Sequence, residues 1–145
     1  MVRLYALSLL SEAGDDVDAV YAKGGYATYQ LSGLTQNYYY GIRRYPYTTD
    51  LTKNPLTFKH IKSGQALPNG IPVAQSLLGI DNAEPHNLGE VWASMVFEGM
   101  MALLKQTQGP NPPYSFDEAR RRMADYVEGG YKMAPTSPTI TEQRD

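Results

Sequence analysis

Asp81, Glu84 and His86 stand in one short polar run, Asp81-Asn82-Ala83-Glu84-Pro85-His86-Asn87. Histidine beside carboxylates is the set from which proton-handling and charge-stabilising sites are made. Such chemistry needs side chains that are held still, and the run leads directly into the longest helical pattern in the chain. Asn87 reads as its N-cap, with Glu90 three residues later completing a capping box. Leu88, Val91, Trp92, Met95, Val96, Gly99 and Leu103 then recur at helical spacing on one face. Ala93, Met100, Met101 and Leu104 lie on the opposite side, and only Glu90, Ser94, Glu98 and Lys105 form a narrow polar strip. A helix apolar on nearly every side belongs in the middle of a domain. On spacing alone, a histidine before a helix is more often a surface or capping residue than a catalytic one.

The elements that must position this run belong to a chain of 145 residues, 42% hydrophobic and 19% charged, which suits one globular domain. The net charge is −2, and the only basic cluster is Arg120-Arg121-Arg122 on one predicted helix. Neither nucleic acid nor an anionic membrane is indicated. The absence of cysteine excludes disulfides, thiolate metal sites and a cysteine nucleophile, and leaves the redox compartment open. Val2 to Leu10 reads as helix. Its apolar run is too short for a signal peptide and meets Ser11-Glu12 at once. No stretch approaches the ~20 apolar residues that span a bilayer.

Glu12 to Asp18 is an acidic turn. Three aspartates in it could hold calcium, but the D-x-D-x-D-G order and the following Glu of an EF-hand are missing, so it reads as a solvated loop. Tyr26 to Leu31 is rich in strand formers. Ser32 to Pro72 has no sustained period and is broken every few residues by Gly, Pro, Asn or Thr; a stretch of that length is usually functional or faces a missing surface. Of the twelve tyrosines, eight cluster between Tyr21 and Tyr47. Val73 to Ile80 adds a helical turn or two. Farther on, Ser115 and Glu118 form a second capping box before the stripe Phe116, Ala119, Met123, Tyr126, Val127, and Gly129-Gly130 ends that helix. Thr139 and Glu142 make a third helix start near the last residue, so both ends read as cut. His60, in Phe58-Lys59-His60-Ile61-Lys62, is expected to be exposed. No G-x-S-x-G, P-loop, G-x-G-x-x-G or H-E-x-x-H occurs.

Four segments, in order, carry a resemblance. Tyr38 to Phe58, YYYGIRRYPYTTDLTKNPLTF, is similar to the GIRRYPYSTD…NPLTF block of the fungalysin family, secreted zinc metallopeptidases of thermolysin-like fold. Glu84 to Met95 resembles the family's HxxGEVWA helix. Phe116 to Met123 and Ser137 to Asp145 resemble two later helices less specifically. The resemblance implies a mainly α fold: the C-terminal helical lobe of a thermolysin-like metallopeptidase with a long irregular Tyr/Pro-rich loop region. Residues 1–145 would be a single partial domain, truncated at both ends.

The same resemblance implies roles. His86 matches the histidine that hydrogen-bonds the tetrahedral intermediate, Asp81 or Glu84 the acid that orients it, and Arg43, rather than Arg44, the arginine that binds a substrate carbonyl. These groups act through electrostatics and position. Zinc in the family is held by H-E-x-x-H and a later glutamate. With only His60 and His86 present, no zinc is expected on this chain, and the N-terminal zinc-binding half is a missing partner. The implied function is a part in extracellular proteolysis of protein or peptide substrates, the chain alone being inactive. Rival readings are a non-catalytic peptide-binding or interaction module, using the tyrosine-rich stretch, and a non-functional gene fragment.

Overall fold

A computed structural model describes residues 9–25, 27, 37–74, 79 and 81–144. Its elements are α1 (Asn37–Tyr40), a 3₁₀ turn (Phe58–Ile61), α2 (Pro85–Lys105), α3 (Phe116–Met133) and α4 (Ile140–Arg144). Two isolated bridges, antiparallel Tyr21–Tyr47 and parallel Lys23–Gly41, are the only strand pairings among the described residues. The fold is therefore mainly helical, with an irregular stretch over 41–74 that contains one 3₁₀ turn, as the sequence implied.

Helix α2 is the organiser, but its cap and its buried face differ from expectation. Glu84, not Asn87, is the N-cap: its side chain accepts from the backbone N–H groups of His86 and Asn87, and Pro85 fills the first helical position. Proline suits that place because its missing N–H would have no helical partner. Asn87 and Glu90 are instead buried inside the helix. The deeply buried side carries Val91, Ala93, Ser94, Phe97, Met100, Met101 and Leu104. The predicted apolar stripe fares differently: Trp92, Met95, Val96 and Leu103 are only partly covered, and Gly99 is exposed. With apolar residues on both sides, periodicity could not choose the inner face, and the buried pairing of Glu90 turns it inward.

The main core joins Ala93, Phe97, Met100, Met101 and Leu104 of α2 to Ala119 and Met123 of α3, and to Val17 and Tyr47 from the preceding loops. The Phe97 ring sits 5.7 Å from Tyr47 and 6.1 Å from Tyr21, both tilted. Full burial of a side chain of this size stabilises by about 1.5–3 kcal/mol. A smaller cluster of Tyr45, Leu56 and Val91 lies under Ile61, Leu67 and Ile71. Irregular backbone near it is satisfied by side chains: Asn54 Nδ2 donates to the Pro46 carbonyl at 2.8 Å and to Ser94 Oγ at 3.2 Å.

Helix α3 runs through Gly129-Gly130 to Met133, so the glycine pair does not end it. Ser115 caps it by accepting from Glu118 N–H at 3.2 Å. The Glu118 carboxylate does not complete the box, because Arg121 and Arg122 hold it at 2.7 and 2.9 Å. The third helix start is real: Thr139 and Glu142 bond reciprocally at the head of α4. Of the expected helix over Val2–Leu10, only helical Leu9 and Leu10 are among the described residues. Tyr26–Leu31 lies almost wholly outside them. Of Val73–Ile80, residues 73, 74 and 79 are described and are not helical.

Candidate functional site

The Glu84 carboxylate has two tasks. Oε2 accepts from the backbone N–H of His86 at 2.8 Å and of Asn87 at 3.0 Å, which caps α2. Oε1 lies 2.7 Å from His86 Nδ1. An ionised carboxylate only accepts, so the proton sits on Nδ1. The His86 bond and the capping N–H groups hold the Glu84 carboxyl below the ordinary carboxylate range. The His86 side chain is half exposed, which turns the imidazole outward from the helix start.

Of the two acids named from the sequence, the structure joins only Glu84 to His86. The Asp81 carboxylate accepts from Ala83 N–H at 3.1 Å, and its carbonyl accepts from Glu84 N–H at 3.2 Å. It shapes the turn into the cap. Arg43 approaches from the irregular stretch, and its Nη1 donates to the His86 carbonyl at 3.3 Å. It is 4% exposed, and its Nε and Nη2 have no protein partner. A buried guanidinium with donors to spare is available to an acceptor that the protein itself does not supply.

Beneath these residues lies a network that sequence reasoning missed. Arg44, fully buried, donates from Nε to Glu90 Oε2 at 2.8 Å, from Nη1 to Asn82 Oδ1 at 2.7 Å and from Nη2 to the Asn87 carbonyl at 3.2 Å. Glu90 Oε1 accepts from Tyr45 N–H at 3.0 Å. Burial pushes the Glu90 carboxyl up, against the pull of Arg44. Asn82 Nδ2 donates to the Gln65 carbonyl at 2.6 Å, and Asn87 Nδ2 to the carbonyls of Asp81 at 2.9 Å and Gly79 at 3.1 Å. The available signal was Glu90 itself, a charge among apolar neighbours on a buried helix, since charged groups are fully buried only when paired.

His60 is a correction. It is 1% exposed, not open to solvent. Its Nδ1 accepts from Thr57 N–H at 2.9 Å and so caps the 3₁₀ turn. Burial pushes its pKa below 6.5, helped by the charges of Lys59 and Arg44. Its neighbours Phe58 and Ile61 form the apolar side of that turn, an arrangement too short for periodicity to reveal.

Two concavities lie nearby. One, of about 650 Å³, is lined by Tyr45, Leu67, Ile71, Asp81 and Asn82. The other, an apolar groove of about 440 Å³, is lined by Trp92, Val96, Leu103, Met123, Tyr126 and Val127, and contains none of the four predicted site residues. Among the described residues no three His, Cys, Asp or Glu side chains come together to hold a metal. Nor is any helix among them long and apolar enough to cross a membrane.

Comparison with known proteins agrees with the motif resemblance. The chain is 26% identical over 147 residues to extracellular metalloproteinase 10 of Coccidioides posadasii, covering 97% of this chain and 19% of that protein. It is 28% identical over 123 residues to extracellular metalloproteinase mep of Aspergillus terreus, covering 81% and 17%. The mep protein of Aspergillus fumigatus is 26% identical over 146 residues, covering 97% and 19%. This chain thus spans less than a fifth of the length of these relatives. No solved structure matches it. The description that fits residues 4–145 is that of the fungalysin metallopeptidases, a zinc-dependent family, and to that family this chain belongs.

Proposed function

We propose that the chain forms the C-terminal, helical lobe of an extracellular fungalysin-type endopeptidase and lines its substrate cleft. The observation that carries the reading is the Glu84–His86 pair at the head of α2, with Nδ1 held at 2.7 Å by the carboxylate. In the protonated ring Nε2–H is a donor facing away from Glu84. It would bond the oxygen that becomes negative as water attacks a peptide carbonyl, an interaction made only in the transition state. Arg43, with two donors not used by the protein, would hold a substrate carbonyl. Asp81 would serve indirectly, by shaping the turn that presents Glu84.

Zinc enters this reading from the family. The residues that hold it are proposed to lie in another part of the family's fold, because the chain has no H-E-x-x-H and only two histidines. Residues 1–145 are thus proposed to be one partial domain, inactive alone and without stoichiometric zinc. Extracellular action is supported by the names of the relatives.

The test restores the missing portion by co-expression with an H-E-x-x-H segment from a family relative. His86→Ala should then lower kcat by about 10²–10³-fold while leaving KM and zinc content unchanged. Arg43→Ala should raise KM as well, because a carbonyl-binding group also touches the ground state. Activity of His86→Ala equal to the parent would remove His86 from the reaction.

A further inference from the structure

The outer pair, Glu84 and His86, and the inner pair, Arg44 and Glu90, are joined by the turn over 81–84. That turn is held at two points. Asn82, 2% exposed, accepts from Arg44 Nη1 at 2.7 Å and donates to the Gln65 carbonyl at 2.6 Å, so its side chain is fixed at both ends. Asn87, also 2% exposed, donates to the carbonyls of Asp81 and Gly79 from the first turn of α2. Both asparagines bond inside the protein, where a neutral amide can link a buried ion pair to backbone without adding charge. The turn between them then ends at Glu84, whose own N–H bonds back to the Asp81 carbonyl.

We infer that Asn82 and Asn87 are positioning residues: they lock the turn over 81–84 to the buried Arg44–Glu90 pair, and so fix where the Glu84 carboxylate meets His86. The inference rests on the proposed role of His86 only for the reaction that the pair serves. Its structural content stands apart from that reaction. The side-chain amide bonds of both asparagines go to Arg44 and to backbone carbonyls, and the ring's bond goes to Glu84. Asn87 donates to Glu84 directly from its backbone N–H at 3.0 Å, a bond that a substitution keeps; it is the two amide side chains that act at one remove, through the backbone of the turn. Arg44 is the shared anchor, since one guanidinium meets the Asn82 side chain and the Asn87 carbonyl together.

The experiment uses the chain itself and follows the Glu84 carboxyl by ¹³C NMR titration. In the parent its midpoint should lie below the ordinary value of 4.5, and His86→Ala should shift it upward by removing the chief cause. Asn82→Ala and Asn87→Ala should each shift it in that direction, because the turn no longer holds Glu84 against the ring. Leu56→Ala, a core truncation in the smaller cluster, lowers stability without touching the turn and should leave the midpoint in place. Asn87→Ala keeps a good helix former in α2, so it decides the matter if Asn82→Ala fails to fold. An unmoved Glu84 midpoint in the folded asparagine variants, alongside the His86→Ala shift, would overturn the inference. Its failure is separate from failure of the proposed function, which is read from kcat of the restored enzyme.

Discussion

Glu84 holds His86 twice, by the backbone N–H at 2.8 Å and by the ring Nδ1 at 2.7 Å. One carboxylate therefore caps the helix and orients the imidazole at its head. Asp81, the other acid in the run, has no such bond. In the restored enzyme Glu84→Gln should lower kcat markedly more than Asp81→Asn. Kinetics of the two variants side by side decide it, and the reverse order would move the orienting role to Asp81.

The Arg44–Glu90 pair is fully buried on both sides. Removing one member leaves the other charge without compensation, so Arg44→Met or Glu90→Leu alone should destabilise by about 3–5 kcal/mol. The double variant should cost less than either single one, because it removes both desolvated charges at once. Urea unfolding of the four proteins measures this. A double variant as unstable as the sum of the singles would show that the two residues act independently.

How much of this was visible in the sequence can be judged from particular residues. His86, Arg43 and the alternative acids Asp81 and Glu84 were singled out through their motifs; the structure bonds Glu84 and Arg43 to His86 at the head of α2 and leaves Asp81 in the turn before it. The mainly helical fold and the irregular middle stretch were also legible, from apolar spacing and from the density of Gly, Pro and Asn. The inner face of α2 was not, because its apolar residues encircle it and a period needs contrast. Asn87 resembles a cap because residue type favours that place; Glu84 takes it because Pro85 can only stand at the very start of a helix. The burial of His60 comes from contacts between its turn and α2, which local sequence does not encode.

His60 gives the chain a pH dependence with a definite sign. Its folded pKa is lowered from 6.5, so above that value both folded and unfolded states carry it neutral, and its contribution to stability is complete. As pH falls from 6.5 through the lower folded value, the unfolded chain takes the proton first and stability is lost. In His60→Asn an amide oxygen can still accept from Thr57 N–H, and that share of the slope should vanish. Urea midpoints of parent and variant across this window test it. Parallel curves would mean that His60 does not titrate differently on folding.

Gly41 has φ 61°, and a Cβ there would stand 2.0 Å from the Lys23 carbonyl oxygen. Gly41→Ala must strain the backbone and break the Lys23 bridge, at a cost above the ~1–3 kcal/mol of an unfavourable φ alone. Gly64 has φ 75° and nothing near its Cβ, so Gly64→Ala should cost distinctly less. Thermal unfolding of both variants makes the comparison. Equal losses would show that the contact at Gly41 relaxes freely.

The apolar groove along Trp92, Val96 and Leu103 should bind an apolar dye such as ANS. Trp92 is the only tryptophan, so a dye bound there quenches a single, assignable emission. Leu103→Glu should abolish both dye binding and quenching. Dye fluorescence that persists in this variant would locate the exposed apolar surface elsewhere.

The bonds of Arg44 join positions 38, 43 and 46 residues apart. A helix such as α2 can form from neighbours within a fraction of that distance, whereas the guanidinium reaches Glu90 only after a long loop has closed. Until then both charges keep their water, and nothing local rewards giving it up. The clasp is therefore expected on the late side of the folding barrier, with α2 standing before Arg44 arrives. Weakening it should leave the refolding rate nearly unchanged and speed unfolding. On that expectation, the lifetime of the folded state, rather than the ease of reaching it, is what this buried pair governs.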